Sequence, residues 1–105
     1  MREIAPKELA QRLAAGEDLA LLDVREPWER ALCVLPGSLH IPMQEIPNAM
    51  TTLDPEKELV IYCHSGVRSL HAGRFLEQNG FRRVVNLAGG IDRWAREVEP
   101  SMPRY

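Results

Sequence analysis

Two cysteines are the residues of this chain best suited to covalent chemistry, and only one sits in a setting that would use it. Cys63 follows the apolar run Leu59-Val60-Ile61-Tyr62 and opens the segment Cys63-His64-Ser65-Gly66-Val67-Arg68. A helical pattern then begins, read over Ser69 to Gln78 with Leu70, Ala72, Gly73, Phe75 and Leu76 at near-helical spacing and Asn79-Gly80 as the stop. A sulfur between a strand end and a helix start meets inward-pointing backbone N–H groups and the positive end of the helix dipole. That cradle favours an anionic sulfur nucleophile. Gly66 supplies backbone freedom, and Arg68 a cation with up to five donors. Such a thiolate has two uses. It can attack a phosphoryl group, or it can attack a sulfane sulfur and hold it as a persulfide. A phosphate is wider than a single sulfur and needs a wider ring of amides. Only four residues separate Cys63 from Arg68.

Around this loop, strand and helix signals alternate. Pro6 to Ala15 reads as a helix stopped by Gly16. Leu19 to Val24 reads as a buried strand and Pro27 to Ala31 as a short helix. Ser38 to Ile41 follows the Pro36-Gly37 turn as a short strand, and Met43 to Met50 makes a helical turn or two. Arg83 to Leu87 is a strand, and Ile91 to Val98 a helix with Ile91, Trp94 and Val98 on one stripe. This alternation implies an α/β domain with a mainly parallel sheet of about five strands and helices on both faces. Residues 1–105 suit one domain, with the tail after about residue 99 loose.

Composition narrows the function classes. Hydrophobic residues make up 45% of the chain and the formal net charge is −2, so neither a disordered segment nor a nucleic-acid binder is expected. No segment reads as a leader or a membrane span, and two cysteines do not make a disulfide scaffold. A cytoplasmic, reducing compartment is the expectation. With His40, His64 and His71, the cysteines show no metal-ligand spacing.

Four segments together resemble the rhodanese family. Cys63 to Arg68, followed by Ser69, resembles its six-residue active loop; the related cysteine-dependent phosphatases carry one residue more. Leu22-Asp23-Val24-Arg25-Glu26 with Glu29 resembles its amino-terminal signature. Leu87-Ala88-Gly89-Gly90-Ile91-Asp92-Arg93-Trp94 resembles its carboxy-terminal one. Pro36-Gly37-Ser38, ending in Ile41-Pro42, fits the turn between them. Cys33-Val34-Leu35 departs from the family's usual Gly-His-Ile.

The resemblance implies a single-domain rhodanese-like fold and a sulfurtransferase. Cys63 would be the catalytic nucleophile, with His64, Ser65, Gly66, Val67 and Arg68 as the substrate-binding loop and Asp23, Arg25 and Ser69 in support. Donors would be thiosulfate or a persulfide, and acceptors a thiol or cyanide, with no cofactor or metal. The alternative is a sulfur-carrier or regulatory module that relays sulfur to a protein partner.

Individual residues admit plainer readings. Arg68 serves substrate electrostatics or an ion pair with Glu26 or Asp23, while Arg25 reads as structural. Asp23 is either a site group or a turn cap. His64 is expected on a solvent-facing rim, and His40 and His71 are structural or surface groups. Cys33 is a core filler or a resolving thiol. Trp94 is a core anchor, and Trp28 is left open between exposure near the site and burial.

Overall fold

A computed structural model describes all residues, 1–105. Five parallel strands form one sheet: β1 (Arg2–Ile4), β2 (Ala20–Asp23), β3 (Leu39–His40), β4 (Leu59–Tyr62) and β5 (Val84–Leu87), in the order β1-β5-β4-β2-β3. The helices between them are α1 (Pro6–Ala14), α2 (Pro27–Leu32), α3 (Ile46–Ala49, flanked by short 3-10 turns), α4 (Val67–Gln78) and α5 (Gly90–Glu97). The α/β class and the sheet follow the sequence expectation. The exception is β1, which the sequence reading leaves unassigned. It has three residues and only Ile4 is buried, so it carries no periodic signal.

All four residues of β4 are buried, as are all four of β5, and this accounts for their continuous apolar runs. Alternate side chains enter separate cores. Leu21, Val60, Tyr62, Val85 and Leu87 pack with Leu9 of α1 and Ile91 and Trp94 of α5. Leu22, Leu59, Ile61 and Val84 pack with Ile46 of α3 and Ala72 and Leu76 of α4. The period-two alternation of a strand puts these cores on opposite faces of the sheet. Cys33 belongs to the first core and Cys63 to the second.

The chain leaves β2 toward the β3 edge and leaves β4 toward β5. Adjacent parallel strands whose connections diverge open a crevice at their carboxyl ends, the usual ligand position in such sheets. Asp23 ends β2, and Cys63 follows β4 directly.

The expected loose tail is corrected. Met102 packs against the first core, Arg104 hydrogen-bonds Asp92 at 2.9 Å, and the Tyr105 hydroxyl donates to Glu29 at 2.7 Å. These three attachments dock the segment beside the Cys63 loop. No helix of the chain is long and apolar enough to cross a membrane.

Candidate active site

Cys63 is buried, with 1% of its surface exposed. Its Sγ accepts hydrogen bonds from the backbone N–H of Gly66 (3.1 Å) and of Ser69 (3.4 Å), and the Ser69 hydroxyl lies 3.3 Å away. Gly66 makes this cradle. Its φ of 101° is a left-handed conformation that side chains disfavour, and it turns the chain into α4. Helix α4 begins at Val67, two residues before the sequence pattern suggests, so the loop closes directly onto a 12-residue helix. The dipole of that helix has its positive end at the sulfur.

The other side of the loop rests on α5. The carbonyls of Cys63 and His64 accept from the N–H groups of Ile91 (2.9 Å) and Asp92 (3.0 Å). This approach requires glycine at position 90, because a Cβ there would lie 2.6 Å from the Cys63 carbonyl oxygen. Gly89-Gly90 therefore serves close backbone packing.

Arg68 makes a two-pronged ion pair with Glu29, at 2.6 and 2.8 Å. The expected partners Glu26 and Asp23 are thus corrected to a residue one helical turn beyond Glu26. Glu29 also accepts the backbone N–H of Glu26 (3.1 Å), which caps α2, and the hydroxyl of Tyr105. Four donors fill the carboxylate's four acceptor positions. The Arg68 guanidinium, opposed by burial and helped by the other donors, pulls the Glu29 carboxyl down to about 2.

This coupling sets a pH dependence. The folded value lies below the ordinary 4.5, so the contribution to stability is full above about pH 4.5 and is lost as pH falls toward 2. Glu29→Gln is expected to cost about 1–2 kcal/mol at neutral pH, since it removes the anion of a pair whose arginine is part-exposed and screened by solvent. Denaturant titrations from pH 7 to pH 2.5 should show the gap between wild type and variant narrowing below pH 4.5. A constant gap would mean that the carboxylate charge is not what Arg68 needs.

Asp23 and Arg25 form a buried pair, both 0% exposed. Arg25 donates from Nε and Nη2 to the two Asp23 oxygens, each at 2.9 Å. Burial alone would raise the Asp23 carboxyl, but the hydrogen bonds from Arg25 outweigh it and hold it low. Arg25 also donates to the carbonyl of Cys33 at 2.6 Å and to the Tyr105 hydroxyl at 3.0 Å. The pair knits the end of β2 to α2 and the tail, so both residues take the structural reading. His40 likewise bonds the Arg25 carbonyl at 2.7 Å.

His64 lies part-buried at the start of the loop. Its Nδ1 is buried without a hydrogen-bond partner, and its ring lies 4.4 Å from that of Tyr105. Ser65 and Val67 face outward, Val67 with 60% exposure. Trp28 is 62% exposed and meets Tyr105 edge-on at 5.8 Å. Cys33 is buried in the core opposite that of Cys63, with Sγ 3.8 Å from Arg25, which favours the filler reading.

Sequence reasoning missed three site residues. Asn86 accepts from the Ser69 hydroxyl at 2.5 Å and donates to the Gly66 carbonyl at 3.0 Å, tying the loop to β5. A polar residue inside the buried run Val84-Val85-Asn86-Leu87 was the available signal. Glu29 stood in a recognised segment without an assigned partner, and Tyr105 lay in a tail without periodicity.

The family model for the rhodanese-like domain matches residues 5–97, nearly the whole chain. The chain belongs to the rhodanese-like domain family. Among curated rhodanese-like relatives, a protein of Allochromatium vinosum named sulfurtransferase is 45% identical over 100 residues, covering 95% of this chain and 94% of its own. The putative sulfurtransferase YtwF of Bacillus subtilis is 41% identical over 100 residues, covering 95% and 96%. Among solved structures, the human single-domain sulfurtransferase TSTD1 superposes with a TM-score of 0.81 at 29% identity, over 92% of this chain and 97% of that one. The rhodanese-like assignment accounts for the placement of the loop, the two flanking signatures and the five-stranded sheet in one architecture.

Proposed function

We propose that this rhodanese-like domain is a sulfurtransferase that carries sulfur on Cys63. The observation that carries the reading is the Cys63 sulfur at the carboxyl end of β4, held by the Gly66 and Ser69 amides at the start of α4. The names of its relatives support the same activity.

In the first half-reaction the Cys63 thiolate attacks the outer sulfur of thiosulfate or a persulfide. The donor's S–S bond breaks, and its electron pair leaves with sulfite or with the donor thiolate. A new S–S bond joins Cys63 to the transferred sulfur. Amides preorganised around the site stabilise the charge on the persulfide. A thiol or cyanide then attacks the outer sulfur, that S–S bond breaks, and its electron pair returns to Cys63 as the thiolate. This is double-displacement covalent catalysis, and no cofactor enters it. His64, Ser65, Gly66 and Val67 form the loop, and Arg68 presents charge at its end. Ser69 aids the cradle, while Asp23 and Arg25 hold the floor of the crevice. A reducing, cytoplasmic setting would keep the Cys63 thiol free for this chemistry.

The deciding experiment is intact mass before and after incubation with thiosulfate, then with a low-molecular-weight persulfide. A gain of one sulfur that cyanide or a thiol removes supports the reading. No gain with either donor overturns it.

A second reading is favoured by the exposed Val67 and Trp28. Apolar side chains beside a reactive loop suit a protein surface better than a small anion. There the persulfide would pass to a partner protein. Stoichiometric sulfur loading with turnover by small thiols slower than about one per minute would select this reading.

A further inference from the structure

Tyr105 touches the start of the Cys63 loop directly and reaches its far end through Glu29. At the start of the loop its ring lies 4.4 Å from that of His64, the residue after Cys63. At the other end its hydroxyl donates to Glu29 Oε2 at 2.7 Å, and the same oxygen accepts from Arg68 at 2.8 Å. The tyrosine oxygen is itself fixed by a hydrogen bond from Arg25 at 3.0 Å, out of the buried Asp23–Arg25 pair. A continuous chain of hydrogen bonds thus runs from the floor of the crevice through Tyr105 and Glu29 to Arg68. The segment that delivers the ring is anchored independently by Met102 on the core and Arg104 on Asp92.

We propose that Tyr105 is a positioning residue that braces the Cys63 loop at both ends and fixes Arg68 for an anionic sulfur donor. This rests on the sulfurtransferase reading for its donor, though not for the brace itself.

The chemistry gives the hydroxyl and the ring separate tasks. Burial pushes the phenol up to about 12; Glu29 adds to the shift and Arg25 opposes it. The hydroxyl therefore stays protonated and donates throughout the neutral range. It fills the last acceptor position of Glu29, whose other positions face Arg68 twice and the Glu26 N–H. Two guanidinium N–H groups of Arg68 are committed to Glu29, which leaves three of five for a ligand. The Arg68 side chain is 38% exposed, so those donors are reachable. Without the hydroxyl, Glu29 can swing about α2 and carry Arg68 with it. Without the ring, His64 loses its neighbour and the start of the loop is released.

Tyr105→Phe separates the two tasks, because it keeps the ring and removes only the hydroxyl. Its KM for thiosulfate is expected to rise about tenfold, the low end of the value of a hydrogen bond to a charged group, with kcat within about twofold of wild type. Tyr105→Ala should add faster amide exchange at Gly66 and Ser69, by about tenfold, while exchange at Val60 to Tyr62 in β4 stays at the wild-type rate. A purely structural role would not split KM from kcat, nor confine the change to the loop. An unchanged thiosulfate KM in Tyr105→Phe overturns the proposal, as does unchanged Gly66 exchange in Tyr105→Ala. Wild type that accepts no sulfur fails the sulfurtransferase reading instead, and loop exchange then decides the brace alone.

Discussion

Cys63→Ser is expected to lower sulfur transfer by at least ~10³-fold while leaving the fold in place. The serine hydroxyl has nearly the size of the thiol and can accept from the same two amides, Gly66 at 3.1 Å and Ser69 at 3.4 Å in the wild type. The cradle therefore keeps its hydrogen bonds, and stability should change by no more than about 1 kcal/mol. The chemistry does not survive. A hydroxyl at neutral pH is neither an anion nor a ready partner for sulfane sulfur, and no neighbouring base is placed to activate it. His64, the residue best suited by type, turns its ring toward Tyr105. Steady-state turnover with thiosulfate and cyanide, read beside thermal unfolding, tests both halves. Retained turnover in a folded variant would remove Cys63 from the reaction. The same change at Cys33 should leave turnover within about twofold, since its sulfur packs in the opposite core.

Gly90→Ala is the second large effect, and it acts on stability. The added Cβ would stand 2.6 Å from the Cys63 carbonyl oxygen, 2.5 Å from the His64 carbonyl carbon and closer still to the His64 oxygen. These are backbone atoms, so no rotamer change relieves the clash. The residue also has a φ of +63°, where a side chain adds strain. Relief requires α5 to withdraw from the loop, which breaks the bonds from Ile91 and Asp92 to the Cys63 and His64 carbonyls. A loss on the order of 3 kcal/mol is expected. For a domain of this size that lowers Tm by roughly 10–20 °C. Sulfur loading should fall as well, because the loop loses its support on that side. Glycine 37 provides the contrast. It has a similar φ of 80°, but a Cβ there would meet nothing within 4 Å, so alanine should cost only the local strain. Equal Tm losses at the two positions would show that contact with the loop is not the cause.

The placement of Cys63 was legible because it is local. Leu59 to Arg68 encodes a buried strand, a tight loop and a helix start without a break, and contiguous chain fixes where Cys63 must lie. Gly66 announces the turn, and the apolar run before Cys63 announces a central strand. The same holds for the sheet. Three of the five strands carry enough apolar pattern to be read, the two-residue β3 is marked by the Pro36-Gly37 turn and Pro42 on either side of it, and β1 has neither signal.

The partners of these residues were not legible. Arg68 meets Glu29 across 39 positions, and Tyr105 meets Glu29 across 76. Nothing near Arg68 in the chain distinguishes Glu29 from Glu26 or Asp23, because all three lie at or just beyond the same strand end. Only the packed position of α2 brings Glu29 to the Arg68 guanidinium. Tyr105 closes a tail without periodicity, so its docking depends on Met102, Arg104 and Asp92 finding one another in space.

The sequence by itself thus determined where Cys63 lies, the loop that follows it and the α/β class, since each is a property of contiguous residues and their short-range sterics. The tertiary structure alone decided which carboxylate holds Arg68, which amide and hydroxyl tie Ser69 to β5, and that the tail packs beside the loop. Those choices rest on contacts between residues far apart in sequence, and their geometry exists only once the sheet and helices have packed.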